Sequence, residues 1–288
     1  MSVNISLEEI KKIWPLSAPD IKNINKYVEK YKGETIVIKY GGNVLIDREI
    51  FNNFIEDISI LNKLGLSIVV VHGGGPRIKR ELEKSNISTK FINGLRVTDA
   101  KIIKLVEGVL IDFNNDIVNS LNEKESKAVS INTKTKNVIN VTPENEELGF
   151  VGKPREINKN LLNELIRNNQ IPVVAPLGLG VNGQTYNING DTAAGAIAKS
   201  LKSRRLLLMT NVEGVLNREK KLISELSSAK ILEMIKNGTI SGGMIPKINT
   251  CLDSVNNGVR GVVIMDGRKK HSILNEIFSD SGAGTLIR

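Results

Sequence analysis

The 288-residue chain predicts an α/β fold, a mainly parallel sheet covered by helices on both faces. Two observations predict it. Short runs such as TIVIKY (35–40), LSIVVV (66–71) and IPVVA (171–175) are apolar with little alternation, as strands buried on both faces are. Segments of helical periodicity lie between them, and several of the runs end in glycine-rich turns. In such sheets ligands bind beyond the carboxyl ends of the strands.

The chain opens on SLEE (6–9), a capping box with Ser6 as N-cap and Glu9 three residues on. A short helix therefore runs to about Trp14 and stops at Pro15. A second helix starts near Pro19, ends at Gly33 and aligns Ile21, Ile24, Tyr27, Val28 and Tyr31 on one face. That stripe packs either on its own domain or on a partner subunit. Amphipathicity alone does not separate the two.

The strand at 35–40 delivers Lys39 to the turn Gly41-Gly42-Asn43. Glycine there admits a ligand to bare backbone N–H groups, so the pair reads as a phosphate cradle. The plainer alternative is a buried strand whose lysine snorkels to water. Recurrence of the pattern favours the cradle. After a helix over 49–64, the strand 66–71 runs into His72-Gly73-Gly74-Gly75-Pro76, a second anion loop opening a helix near Pro76. His72 reads as a hydrogen-bonded strand-end residue and not a base. FINGLRV (91–97) is a hairpin or loop whose Arg96 suits bidentate capture of a carboxylate; the alternative is a surface salt bridge. Asp99 or Thr98 caps a helix to about Leu121.

Runs at 128–132, 138–141 and 149–151 predict a small antiparallel excursion, followed by a helix over 158–169 and a strand over 171–175. GLGVNG (178–183) matches the dinucleotide fingerprint, yet no helix follows its third glycine. It reads as a hairpin. NINGD (187–191) leads into the small-residue helix TAAGAIAKSL, with Asp191 fitting N-cap. An acid beside a phosphate site also orients lysines. A strand at 206–210 precedes Asn211-Val212-Glu213-Gly214, and a helix follows over 227–237. GTISGGMIPK (238–247) is a third glycine loop, ending in Lys247 and opening a helix over 246–256. A strand (260–265), a short helix (271–278) and an edge or closing strand finish the chain.

The net charge is +9, but lysines and acids are interleaved and aromatics make up 4% of the chain. That argues against a nucleic-acid partner, which needs a basic stripe or stacking platforms. The single cysteine, Cys251, allows no internal disulfide and reads as a buried filler in a reducing compartment. No signal peptide or membrane-length apolar run is present, so a cytoplasmic location without membrane contact is expected.

The Walker P-loop, Cys/His metal spacings, the G-x-S-x-G elbow and the protein-kinase signatures are all absent. What remains is glycine loops, Lys39, Lys247, Arg96 and Asp191. Phosphoryl transfer needs positioning, and positive charge where negative charge spreads. The residues suit a kinase of a small anionic acceptor, with Mg²⁺ riding on the nucleotide phosphates.

KYGGN, VVVHGGGP, NGLRVTD, NINGDTAAG, TNVEGVL, SGGMIPK and EIFSDSGAGT occur in this order over nearly the whole chain. Together they resemble the amino-acid kinase family, and within it the branch acting on N-acetyl-L-glutamate in arginine biosynthesis. The resemblance implies an open αβα sandwich with a mainly parallel sheet. Residues 1–33 would be an oligomerisation and regulatory arm, 34–180 an acceptor lobe and 181–288 an ATP lobe. It implies that Lys39 and Lys247 neutralise the transition state and that Asp191 holds them. Gly74, Gly75, Arg96 and Asn187 would bind the acceptor. Gly41, Gly42, Thr210, Asn211, Gly214, Gly243 and Met244 would line ATP, its Mg²⁺ held mainly by the phosphates. Asn211 stands where the family's TDVxGV pattern has aspartate, which puts one nucleotide contact in doubt. Asn43-Val44-Leu45 departs harmlessly from the common GGNAM.

The arm and HSILNEIFSDSGAGT resemble the segments that accompany hexamers inhibited by L-arginine, pointing to Tyr27, His271, Glu276 and Gly284 as regulatory residues. A PII signalling protein is a further partner that the resemblance leaves open. The competing readings are a kinase of a related amino acid, against which NGLRVTD argues, and a non-catalytic arginine sensor, against which the intact Lys39, Asp191 and Lys247 argue.

Overall fold

A computed structural model describes residues 7–41 and 47–288. Ser6 of the capping box, Gly42 of the first anion loop and Asn43-Val44-Leu45 lie outside the described residues.

The arm comprises α1 (Leu7–Ile13), a 3₁₀ turn (Ile21–Asn23) whose Lys22 amide is capped by Asp20, and α2 (Ile24–Tyr31). Its apolar stripe is buried on its own chain: Ile10, Ile24, Tyr27, Val28 and Tyr31 join one core cluster with Ile277 and Phe278. Trp14 meets Phe278 edge-on at 5.4 Å.

Then β1 (Thr35–Tyr40), α3 (Arg48–Lys63), β2 (Ser67–His72) and α4 (Gly75–Lys84) set the βα rhythm. β3 (Phe91–Ile92) and β4 (Leu95–Arg96) form a hairpin over Asn93 and Gly94, both at positive φ (50° and 81°), the Asn-Gly turn whose twist suits paired strands. α5 (Ala100–Glu123) begins at Asp99, whose carboxylate accepts from the Lys101 and Ile102 amides. There follow β5 (Ala128–Ile131), β6 (Ile139–Pro143), β7 (Gly152–Ile157), α6 (Lys159–Arg167), β8 (Ile171–Val174), β9 (Leu177–Leu179), β10 (Thr185–Asn187) and α7 (Gly190–Ser200). The chain ends with β11 (Arg205–Thr210), β12 (Glu225–Leu226), α8 (Ser228–Lys236), α9 (Met244–Asn256), β13 (Val262–Asp266), α10 (Ser272–Phe278) and β14 (Gly284–Ile287).

The main sheet runs β12-β14-β13-β11-β1-β2-β8-β5, and its pairs are parallel except β13–β14. The predicted α/β sandwich is therefore observed. β1 lies between β2 and β11, so its carboxyl end is the point where the chain's winding reverses. Side chains alternate between faces: Ile36, Ile38 and Tyr40 enter the core under the arm, α3 and α5, whereas Val37 enters the one under α7 and α9. Lys39 shares the Val37 face.

Four expectations are corrected. The run at 128–132 is not part of the antiparallel excursion; β5 is the parallel edge of the main sheet, beside β8. The excursion is the sheet β10-β9-β6-β7, antiparallel except for the parallel β6–β9 pair, and β7 starts at Gly152 and not at 149. Asp191 is not the N-cap of α7; Asn189 is, its side chain accepting from the Asp191 and Thr192 amides. The terminal strand is not the edge: β12, a two-residue strand that local pattern does not reveal, lies outside it. GLGVNG is the β9–β10 hairpin, as its sequence suggested.

Candidate active site

Lys39 reaches the carboxyl edge of the sheet because period-two alternation turns it toward α7. Its stem folds over Gly41 and passes Gly190: a Cβ on Gly41 would stand 2.0 Å from Lys39 Nζ, and one on Gly190 would stand 3.2 Å from Lys39 Cε. α7 and α9 approach closely because Gly195 faces Thr250 and Ser254; a Cβ there would lie 2.9 Å from Thr250 Cγ2. The close approach brings the first turns of both helices together, Asp191 on one and Lys247 on the other.

The result is a triad. Asp191 Oδ1 lies 2.9 Å from Lys39 Nζ, and Asp191 Oδ2 accepts from Lys247 Nζ at 2.5 Å. The first contact is an ion pair without hydrogen-bond alignment; the second is a directed bond. The three side chains are 10%, 15% and 13% exposed, so the charges act with little solvent screening. Burial raises the Asp191 carboxyl, but the ammonium groups of Lys39 and Lys247 together outweigh it and hold it well below its ordinary value. Burial lowers Lys39, with Asp191 pulling it back up and Lys247 adding to the fall. Asn189 explains why the aspartate is available: with the cap supplied from two residues upstream, Asp191 need not turn back on its own helix.

Two cavities flank the triad. One, of 130 Å³, is lined by Gly73, Gly74, Gly75, Arg96, Asn187 and Gly190, among others. The second, of 730 Å³, runs between Asn189–Thr192 and Gly242–Lys247 and includes Asp191 and Lys247 in its wall. Gly94, Leu95 and Asn189 belong to both. Arg96 is 9% exposed, its guanidinium lies 4.7 Å from the Phe91 ring centre, and no described carboxylate pairs with it. A buried cation without a counter-ion favours an anionic ligand. At Gly74 a Cβ would stand 2.4 Å from Leu110 Cδ2, so the loop hugs α5.

The other residues picked from sequence fall as follows. Gly243 and Lys247 border the larger cavity, and α9 begins at Met244, whose amide donates to the Ser241 carbonyl, as the Ile245 amide does to that of Gly242. Thr210 ends β11 and donates to Asn211 Oδ1 at 3.3 Å, with Asn211 exposed. Gly214 is buried, where a Cβ would meet Thr285 Oγ1 at 2.4 Å, so its glycine is required by packing. Tyr27 and Glu276 lie at the contact of the arm with the C-terminal segment: Tyr27 packs on Phe278, and Glu276 Oε2 accepts from the Ala283 amide at 2.7 Å. His271 stands apart, before the first turn of α10, its Nδ1 2.6 Å from Asp57 Oδ1. Gly284 lies within β14, pressed on the Ile264 carbonyl. Cys251 is buried, and burial pushes its thiol up to about 12. Sequence reasoning missed Asn189 as the cap of α7, Gly94 and Leu95 of the hairpin as a shared wall, and a buried polar chain behind His72. The Asn-Gly dipeptide is a signal for the turn; the other two have no local signature.

A parallel sheet that gathers two lysines around one aspartate at its carboxyl edge defines a class: enzymes that transfer phosphoryl groups between converging positive charges. The chain belongs to the amino acid kinase family, whose signature matches residues 34–266. It is 55% identical over 281 residues to the acetylglutamate kinase of Pelagibacter ubique (strain HTCC1062), covering 98% of both chains. It is 45% identical to that of Ruegeria pomeroyi (strain ATCC 700808 / DSM 15171 / DSS-3), covering 97% of this chain and 98% of the relative. Among solved structures, smu.665 from Streptococcus mutans UA159 superposes with a TM-score of 0.75 at 33% identity, covering 88% of this chain and 98% of that one.

Proposed function

We propose that this chain transfers the γ-phosphoryl group of ATP to the side-chain carboxylate of N-acetyl-L-glutamate, yielding N-acetyl-L-glutamyl 5-phosphate and ADP, the phosphorylation step of arginine biosynthesis. The observation that carries the reading is the Lys39–Asp191–Lys247 triad standing between two cavities. The relatives' name supports the acceptor.

The acceptor carboxylate is already ionised at neutral pH, so its attack needs no general base. A carboxylate oxygen bonds to the γ-phosphorus as the bond from phosphorus to the β,γ-bridging oxygen breaks, and ADP leaves with that electron pair. Negative charge is present on nucleophile, phosphoryl group and leaving oxygen at once. The chain's task is to supply positive charge and alignment. Lys39 serves the incoming side, the Gly41 loop lies against the transferring phosphates, and Lys247, with Gly243 and Met244, serves the leaving side. Asp191 spaces the two ammonium groups, whose mutual repulsion would otherwise part them. Arg96 takes the acceptor's α-carboxylate, Asn187 its amide, and the Gly74 and Gly75 amides its reacting carboxylate. Thr210, Asn211 and the 210–214 loop border the nucleoside.

Asp191 has both oxygens engaged by lysines, and no cluster of three metal-binding side chains occurs among the described residues. That fits a Mg²⁺ carried by the triphosphate, where it supplies charge neutralisation. Residues 34–180 act as the acceptor lobe and 181–288 as the ATP lobe. The same reading gives the arm and the Tyr27, His271, Glu276 and Gly284 segment a role in L-arginine inhibition of a hexamer. The half-buried carboxylate of Glu276, beside the arm, supports a cationic effector there.

The test is ADP formation with N-acetyl-L-glutamate against L-glutamate, with and without L-arginine, on the wild type and Lys247→Ala. Turnover on the acetylated acid, falling roughly a hundredfold or more in the variant, is expected. Equal turnover on glutamate would overturn the acceptor assignment. Loss of arginine's effect alone would leave the reaction and remove the regulation.

A further inference from the structure

His72 is fully buried at the end of β2, against the edge of Phe113 with ring centres 5.0 Å apart, and the chemistry above does not use it. It is the last side chain in a line of hydrogen bonds whose direction can be read from its far end. The backbone amides of Lys134 and Thr135 donate to Asn132 Oδ1 at 2.8 and 3.1 Å, which fixes that amide's orientation. Asn132 Nδ2 must then be the donor to Ser130 Oγ, at 2.9 Å. Ser130 has one proton, and it goes to Asn114 Oδ1 at 2.6 Å. Asn114 Nδ2 is therefore the donor side, giving one hydrogen to the Val173 carbonyl at 2.8 Å and facing His72 Nε2 at 3.2 Å.

A donor facing Nε2 requires that nitrogen to be bare. The ring proton is left on Nδ1, which lies 2.8 Å from the Gly73 carbonyl oxygen and donates to it. Burial lowers His72 to about 4, and the Arg77 cation adds to that, so the ring is neutral in the working range. The Gly73 carbonyl is thus drawn toward the core. In a trans peptide the N–H of the next residue points opposite to the carbonyl. That N–H belongs to Gly74, has no partner among the described residues, and borders the 130 Å³ cavity.

We propose that His72 is a positioning residue: a one-way hydrogen-bond relay from the 132–135 turn through Ser130 and Asn114 sets its Nδ1–H tautomer, and that tautomer aims the Gly74 amide at the acceptor's reacting carboxylate. The inference rests on the acceptor assignment for its functional consequence, but the tautomer does not. Glycine at 73 and 74 leaves this peptide free to flip, so an external clamp has something to hold.

The chain has two histidines, so ring ¹⁵N resonances of selectively labelled wild-type protein are assignable with a single His72 variant. A neutral ring protonated at Nδ1, unchanged across neutral pH, is expected; a proton on Nε2 or a charged ring would overturn the proposal. In kinetics, His72→Asn keeps a donor near the Nδ1 position and retains turnover within several-fold. His72→Gln and His72→Leu lose it and fall by roughly ten- to a hundredfold in kcat/KM for the acceptor, with KM for ATP unchanged, as one aimed donor is worth in such sites. An equal loss in all three variants, or a loss shared with ATP, would make His72 a packing residue only. Should the wild type fail to phosphorylate N-acetyl-L-glutamate, the acceptor assignment falls, while the ¹⁵N measurement still decides the tautomer.

Discussion

At the scale of single residues, Asp191 is the group on which most else turns. Its carboxylate carries one charge between two ammonium groups in a nearly dry site. Asp191→Asn leaves Lys39 and Lys247 buried and mutually repelling, at a cost of about 3–5 kcal/mol. Denaturant titration should read that loss, and turnover should fall roughly a hundredfold or more. Adding Lys39→Met should return much of the stability and none of the activity; recovery of both would mean that the triad is structural. The pH sign follows from the depressed carboxyl. The stability it contributes is present above the ordinary aspartate value of about 4 and is lost as pH falls through the lower folded value. Acid unfolding of wild type should therefore contain a component that Asp191→Asn lacks. Lys39 was legible in sequence as a lysine at a strand end before glycine. Asp191 was legible as an acid that orients the lysines; its plainer reading as a cap failed, because Asn189 and Asp191 are both good capping types and only coordinates say which one bonds the amides.

Secondary-structure elements were legible where their period was long and undisturbed. β1 spans the predicted Thr35–Tyr40, and α3 and α5 fall within a few residues of expectation. β12 escaped because two residues carry no period, and β5 was put in the wrong sheet because strand pairing is non-local. Two contacts at this scale make predictions. A Cβ on Gly284 would stand 2.1 Å from the Ile264 carbonyl oxygen on the neighbouring strand, a backbone atom with nowhere to go. Gly284→Ala should part β13 from β14 and cost about 1–3 kcal/mol, visible as a lowered Tm; an unchanged Tm would contradict the packing described. The second contact ties α10 to α3 through His271 and Asp57. The hydrogen bond to Asp57 raises His271 against the effect of burial, with the Asp57 and Glu56 charges adding to the rise and Lys270 opposing it. Burial lifts Asp57 to about 6 against the pull of His271. Both groups hold a proton more tightly in the folded chain. The His271 contribution is full below the ordinary histidine value of about 6.5 and is lost as pH rises through its higher folded value; the Asp57 contribution is full below the ordinary aspartate value of about 4 and is lost as pH rises through about 6, so the two together span a range from about 4 to above 6.5. Tm measured against pH should fall over that range, and Asp57→Asn should flatten the slope. A slope that survives the substitution would place its origin elsewhere.

For the whole molecule, the arm is the part whose role depends on context. Its stripe is covered by its own C-terminal segment through Trp14, Tyr27 and Phe278, so removing residues 1–33 uncovers part of that core. Truncation should lower Tm, and under the hexamer proposal it should shift sedimentation from hexamer to a smaller species with turnover largely kept. A full-length chain that sediments as a dimer at working concentration would remove the hexamer. Sequence had left own-domain and partner packing equally open, because a helical stripe states only that something apolar covers it.

By itself, the sequence determined the α/β alternation, the glycine loops at strand ends and the demand for positive charge without a base, since each is written in local period and residue type. Tertiary structure alone decided which charges meet. Lys39 and Lys247 are far apart along the chain and close on one carboxylate only because β1 is central, its alternation faces α7, and small residues let α7 and α9 touch. The relay behind His72 was likewise invisible in one dimension, because its members come from three separated segments and each is chemically ordinary until the fold sets them in line.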